Sequence, residues 1–160
     1  MSGIRYVRGD ATDPMGSGSR IVAHCSNDTG GWGRGFVLAL SRRWPQPEEA
    51  YRRWYRGRAG NDFGLGAIQL VPVDQDLYVA NMVAQHGIRS AARVGRPPIR
   101  YDALAQCLAK LAQHASRLEA NVHLPRIGAG LAGGSWDVIE PLIQQHLADH
   151  GISVTVYDLP

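Results

Sequence analysis

The chain has one lysine, Lys110, and two cysteines in 160 residues, and each scarcity closes a chemical route. Lys110 falls on the amphipathic run Leu104, Leu108, Leu111, which puts it on a helix away from the glycine loops described below and leaves them without an amine for imine chemistry. Cys25 lies in a short apolar run and Cys107 shares a helix face with Leu104, Leu108 and Leu111; both read as core residues and not as a disulfide or metal pair. Nor do the histidines, His24, His86, His114, His123, His146 and His150, have the spacing of a zinc site. His146 and His150 stand i,i+4 on a helix, with no third ligand to frame them. We therefore expect no metal and no cofactor. No stretch of about 18 apolar residues and no secretory leader is present, so the expectation is a soluble, cytoplasmic protein without a membrane partner. The length suits one domain over residues 1–160, large enough to bury a core, and no internal repeat is visible.

Glycine, by contrast, is abundant, with 19 residues, and it clusters. From Leu124 to Trp136 the chain reads Leu-Pro-Arg-Ile-Gly-Ala-Gly-Leu-Ala-Gly-Gly-Ser-Trp, placing Gly128, Gly130, Gly133 and Gly134 between a predicted strand and a predicted helix. Without Cβ atoms such a loop brings backbone N–H groups close to an anion, and a following helix adds its positive end. A tight connection would use the same residues. The letters Gly128 to Gly133 fit Gly-x-Gly-x-x-Gly, but the acidic partner and βαβ context of a dinucleotide site are missing, and no Gly-Lys-Ser/Thr follows. A second cluster follows the apolar run Ile21 to Cys25: Ser26-Asn27-Asp28-Thr29-Gly30-Gly31-Trp32-Gly33-Arg34-Gly35. Two strand–glycine-loop–helix units suggest a two-sided clamp beyond the carboxyl ends of strands, with sugar-binding side chains beside phosphate-binding backbone.

Four stretches together carry a specific likeness: Tyr6-Val7-Arg8-Gly9-Asp10-Ala11, Ala23-His24-Cys25 leading to Gly33-Arg34-Gly35, Pro125 to Leu131 with Trp136, and Val154-Thr155-Val156-Tyr157. In order and spacing the sequence resembles a macrodomain, the ADP-ribose-binding fold, over nearly its whole length, and is most similar to the branch containing terminal ADP-ribose protein glycohydrolase. The resemblance implies an α/β fold, a three-layer α/β/α arrangement around a mixed, mostly parallel sheet of about six strands. It also implies a ligand, ADP-ribose, with positions for it. Asp10, with the backbone of Ala11, matches the acceptor of the adenine amino group, although Asp also opens turns after strands. Gly33, Arg34 and Gly35 match the loop beside the distal ribose and diphosphate. Gly128, Ala129, Gly130, Leu131 and Ala132 match the phosphate loop, and Asn27 falls near the distal ribose.

The chain departs from that branch at its catalytic positions. The lysine that attacks the distal ribose is replaced by Gln85 and the assisting aspartate by Ala132. Turnover would then use water, which needs orientation and stabilisation of oxocarbenium-like charge. Gln85 is the first candidate, as a positioning group that both donates and accepts hydrogen bonds but is no base. Asn27 and Asp28 are placed to orient solvent, and His86 to titrate near neutrality, though a lone histidine at a strand end is commonly structural. Three readings stay open: an ADP-ribosyl hydrolase acting on modified acidic residues or a related acceptor, a module that binds ADP-ribose without turnover, and an ADP-ribose 1″-phosphate phosphatase.

The net charge of +3 is unevenly spread, since Arg34, Arg42, Arg43, Arg52, Arg53, Arg56 and Arg58 crowd one segment beside Glu48 and Glu49. This favours anionic partners, namely ADP-ribosylated protein, poly-ADP-ribose or ADP-ribosylated nucleic acid, bound by a monomer. Trp44, Tyr51, Trp54 and Tyr55 stand among the arginines, but Tyr51, Trp54 and Tyr55 recur at helical intervals, which predicts a packed aromatic stripe under a solvated arginine face.

Periodicity predicts strands at Ile4–Val7, Ile21–His24, Ala67–Val71, Leu77–Val83, Asn121–Leu124 and Ser153–Tyr157, and helices at Phe36–Trp44, Glu48–Arg56, Tyr101–Ser116 and Val138–Ala148. For the last helix an Asp137 cap with Glu140 three residues on would keep Pro141 just inside the first turn. Ile88 to Pro98, with Arg89, Arg93 and Arg96, reads as a surface loop bordering the distal ribose and selecting the modified molecule.

Overall fold

The computed structural model describes residues 3–87, 97–130 and 132–160. Apolar runs form six strands: β1 (Ile4–Arg8), β2 (Arg20–Asn27), β3 (Ile68–Asp74), β4 (Leu77–Gln85), β5 (Asn121–Leu124) and β6 (Val154–Asp158). They make one sheet in the order β1-β6-β5-β2-β4-β3. Every pairing is parallel except β3 with β4. This is the mixed, mostly parallel α/β architecture expected from the sequence.

The central strands are apolar almost throughout because both faces are covered. On β2 and β4, Ile21, Ala23, Ala80 and Met82 face one core, with α3 (Tyr101–Leu118) and α4 (Trp136–His146) packed on it. Val22, Val79 and Val83 face the other, under α1 (Phe36–Arg43) and α2 (Gln46–Arg56). Leu104, Leu108 and Leu111 of α3 are fully buried, as their 3–4 spacing predicts. On α2, Tyr51 and Trp54 are buried while Arg52, Arg53 and Arg56 are exposed, so the aromatic stripe packs the helix and the arginines meet solvent.

Most element boundaries shift by one to three residues from the sequence reading, and three of the shifts have an evident physical reason. The helix predicted from Glu48 starts at Gln46, because Pro45 and Pro47 are tolerated where backbone donors are unpaired in any case. The α4 cap is Ser135 and not Asp137, and no side chain caps it. Pro141 therefore lies in the second turn, where its missing N–H interrupts the backbone ladder. The strand predicted at Ala67–Val71 runs instead over Ile68–Asp74 and includes Pro72, which is possible because β3 is an edge strand with an irregular register between Pro72 and Asp74.

Of the loop read over Ile88 to Pro98, residues 88–96 lie outside the described residues. Its last residues are pinned: the His86 N–H donates to the Pro98 carbonyl at 2.7 Å, and Ile99 forms an antiparallel bridge with Gln85. No helix among the described residues is long and apolar enough to cross a membrane.

Candidate functional site

β2, β4 and β5 are parallel neighbours, so the loops leaving their carboxyl ends meet at one edge of the sheet. Between them lies a cleft of about 300 Å³, at the lower end of the range for small-molecule sites. Asn27, Gly33, Arg34, Gly35, Gln85, Gly128, Gly130 and Ala132 all line it. Asp10, Ala11, Ala129 and His86 do not, and Leu131 lies outside the described residues. The two glycine loops and Gln85 are thus brought together, with Asp10 and Ala11 further along the edge, after β1.

The glycines divide by what surrounds them. Gly128 has φ +74°, and a Cβ there would sit 3.0 Å from Ile99 Cδ1 and 3.1 Å from Ile139 Cδ1. Gly134 donates to the Gly128 carbonyl at 2.8 Å, and a Cβ on it would lie 2.5 Å from that same oxygen. These two close the loop against the core and need glycine for packing. Gly130 and Gly33 differ, because a Cβ on either meets nothing within 4 Å among the described residues. Both line the cleft, so their missing side chains leave open backbone where a ligand could lie.

Asn27 organises the opposite lip. Its Oδ1 accepts from the backbone N–H of Thr29 at 2.9 Å and of Gly31 at 3.0 Å and from the Thr29 hydroxyl at 2.9 Å, while the Tyr51 hydroxyl donates to the Asn27 backbone carbonyl at 2.7 Å with Oδ1 3.0 Å away. Its Nδ2 donates to the Gly31 carbonyl at 3.0 Å. The amide therefore shapes the loop, and α2 buttresses it through Tyr51. Gln85 makes one long contact among the described residues, from Nε2 to the Gly87 carbonyl at 3.5 Å. His86 turns away from the cleft, its Nδ1 2.7 Å from Asp28 Oδ2, while Asp28 Oδ1 accepts from the Gly87 N–H at 3.0 Å. Asp28 thereby ties the end of β4 to the loop after β2. Asp10 Oδ1 accepts from the N–H and hydroxyl of Thr12, both at 2.8 Å, and no donor among the described residues takes its second oxygen. Lys110 donates to the Gly66 carbonyl at 2.7 Å and is absent from the cleft lining.

Two features of the site were not read from the sequence. Beneath the cleft a buried polar chain runs from His24 to α2. Asn81 Nδ2 donates to the Pro47 carbonyl at 3.2 Å and to Gln69 Oε1 at 3.1 Å, so its Oδ1 must accept from His24 Nε2, 2.5 Å away. Burial pushes His24 down to about 4, against the raising effect of the Asn81 hydrogen bond. The imidazole is therefore neutral at physiological pH. Its Nδ1 and the Ser26 hydroxyl are buried without a partner among the described residues, and both residues line the cleft. At the other side Arg126, also in the lining, makes a bidentate pair with Asp158 at 2.7 and 3.0 Å. Its guanidinium lies 5.1 Å from the centres of both the Tyr6 and the Trp136 rings. Trp136 Nε1 donates to the Tyr6 hydroxyl at 2.9 Å, and that hydroxyl donates to Glu140. These partners are far apart in sequence, so no local pattern signals them. No grouping of His, Cys, Asp and Glu among the described residues could hold a metal ion.

No family model matches the chain. A macrodomain protein from Streptomyces coelicolor is 57% identical, with a TM-score of 0.88 over 98% of this chain and 99% of that one. A protein of unknown function from Bacteroides thetaiotaomicron is 54% identical, with a TM-score of 0.94 over 99% of each chain. The mouse chromodomain-helicase-DNA-binding protein 1-like is 38% identical over 98% of this chain, which spans only 18% of that relative's length. An ADP-ribose 1″-phosphate phosphatase from Meyerozyma guilliermondii is 25% identical over 91% of this chain and 95% of its own length. Thermosipho africanus DarTG, solved in complex with ADP-ribose, shares the fold, with a TM-score of 0.76 at 16% identity over all of this chain and 42% of that one.

Proposed function

Because the chain belongs to the macrodomain family, we propose that its cleft binds ADP-ribose and that bound water releases it from a modified acidic side chain or a related acceptor. The observation that carries this is the pair of open glycines, Gly130 and Gly33, lining one cleft with the Gln85 amide, which makes a single long contact among the described residues. The diphosphate would lie against the Gly128–Gly130 backbone, whose N–H groups are suited to an anion. The distal ribose would lie toward Asn27 and Gln85, and the adenine toward Asp10 and Ala11. Asp10 has an oxygen left to accept from an adenine amino group.

Gln85 then holds the water. The water oxygen bonds to the anomeric carbon as the carbon–ester oxygen bond breaks, the carboxylate leaves as an anion, and the water proton passes to solvent. Gln85 orients without taking the proton, because a neutral amide is not a base. Asn27 contributes through the shape of the lip, and His86 stands outside the lining with its Nδ1 against Asp28. With Lys110 committed on α3 and Ala132 at the phosphate loop, the step involves no covalent intermediate on lysine.

A second reading, removal of the phosphate from ADP-ribose 1″-phosphate, is favoured by the likeness to fungal phosphatases along their full length. Incubation with a glutamate-linked ADP-ribosylated protein and with ADP-ribose 1″-phosphate separates the two, while calorimetry measures binding of free ADP-ribose. Release from the first substrate supports hydrolysis, and binding with neither turnover supports a recognition module. Gln85→Ala should slow release at least tenfold with ADP-ribose affinity within about twofold of the parent; unchanged release would move the catalytic assignment elsewhere.

A further inference from the structure

We propose that the outer face of α1 and α2 is a docking surface for single-stranded nucleic acid. Arg34, Arg42, Arg43, Arg52, Arg53 and Arg56 are all exposed on this segment. Residues 34–58 hold seven arginines against two glutamates, leaving ten of the seventeen basic and twelve of the fourteen acidic residues for everything else. The positive charge of the protein is thus concentrated on two consecutive helices. Internal pairing removes little of it: Arg52 binds Glu48 at 2.9 Å, and Arg58 folds over the Tyr55 ring at 3.9 Å. Arg42, Arg43, Arg53 and Arg56 have no acidic partner among the described residues.

The chemistry of the face selects the kind of partner. Protein interfaces centre on buried apolar and aromatic anchors. Here Val37, Leu40, Tyr51 and Trp54 point into the core, and Leu38, 43% exposed, is the one large apolar side chain that these two helices leave open. Phosphodiester binding needs no such anchor, because guanidinium groups contact phosphates and release counterions. The charges are also spread around a corner, since only Trp44 and Pro45 separate α1 from α2. A flexible single strand follows such a path, whereas a duplex, stiff over about 150 base pairs, does not. The patch is continuous with the cleft: Arg34 lines it, and Arg52 Nη1 reaches the Gly30 carbonyl on its lip at 3.5 Å.

Fluorescence anisotropy with a labelled oligothymidylate of roughly 15 nucleotides, within the span of one small binding domain, tests this without ADP-ribose. With four phosphates neutralised, log affinity should fall with log salt at a slope of about −2.8, so that binding weakens roughly fiftyfold between 50 and 200 mM salt. The variant R42E/R43E/R53E/R56E should lose oligonucleotide binding while keeping its melting temperature and its affinity for ADP-ribose. Should that variant fail to fold, R53Q/R56Q, which removes two contacts, should lower the slope by about 1.4. Poly-glutamate of matched charge should bind at least tenfold more weakly than the oligonucleotide. A salt slope near zero, an arginine variant within twofold of the parent, or poly-glutamate bound as tightly as the oligonucleotide would overturn the proposal, the last result pointing to an acidic protein instead.

Discussion

Alanine at Gly130 should spare the fold and remove the ligand, whereas alanine at Gly128 should weaken the fold itself. At Gly128 the φ of +74° costs an L residue about 1–2 kcal/mol. The new methyl would also press on Ile99 Cδ1 and Ile139 Cδ1 at 3.0 and 3.1 Å, and overpacking of a formed core adds about 1–3 kcal/mol. The sum is about 2–5 kcal/mol, and at this chain length each kcal/mol lowers the melting temperature by about 2–4 °C. Gly130 carries neither penalty, since it is not among the positive-φ glycines and its Cβ would meet nothing within 4 Å among the described residues. There alanine reduces the freedom of the unfolded chain, which leaves stability unchanged or raises it by up to about 1 kcal/mol. A methyl in the space assigned to the diphosphate should nonetheless weaken ADP-ribose binding at least tenfold. Urea unfolding and calorimetry on both variants read the two quantities separately. If Gly130→Ala binds ADP-ribose like the parent, the loop does not cradle the diphosphate; if Gly128→Ala is as stable as the parent, the packing argument fails.

Asn27→Ala removes the acceptor of three hydrogen bonds and the donor of a fourth, leaving the Tyr51 hydroxyl on the backbone carbonyl, and should destabilise the protein by about 2–4 kcal/mol in urea unfolding; a loss under 1 kcal/mol would show the lip to be held by other means. Asp10→Asn keeps an oxygen for the Thr12 donors but presents an amide where adenine would donate, so calorimetry should show at least tenfold weaker ADP-ribose binding and a relative gain for the guanine counterpart. Stability should also fall on acidification. His24 and His123 are each pushed down from 6.5 to about 4, chiefly by burial and, for His123, also by Arg20. Above pH 6.5 both states are neutral; below it the unfolded chain takes up protons that the folded chain refuses until about pH 4, so stability drops across that window by up to about 3 kcal/mol per histidine. A urea midpoint that stays level from pH 7.5 to 4.5 would contradict that assignment.

The sheet and helices were legible because their signals are local. β2 and β4 read as largely apolar runs, broken in the middle by His24 and Asn81, and α3 as a 3–4 repeat ending where Glu119 turns left-handed at φ 51°. Both glycine loops were equally plain, since composition marks them. What escaped depends on pairs remote in sequence. Nothing near Ser135 announces that the start of α4 is set by Gly134 closing onto Gly128. Nothing near Asn27 tells that a tyrosine 24 residues on will donate to it. The sequence ranks Gln85 ahead of Asn27, but it does not tell that the Asn27 amide is held by Thr29, Gly31 and Tyr51 while Gln85 makes one long contact among the described residues. The Arg126 cluster joins β1, α4 and the end of β6, and no stretch of sequence contains it.

The outer rim formed by β3 has a consequence for how the sheet meets other chains in a crowded solution. An exposed strand edge is a template on which a stray chain can polymerise. A chain arriving along β3 would lack a donor at Pro72, lose its register where the strand kinks before Asp74, and meet a carboxylate there. The proline that misplaced this strand's end in the sequence thus acts as a guard against sheet-to-sheet aggregation.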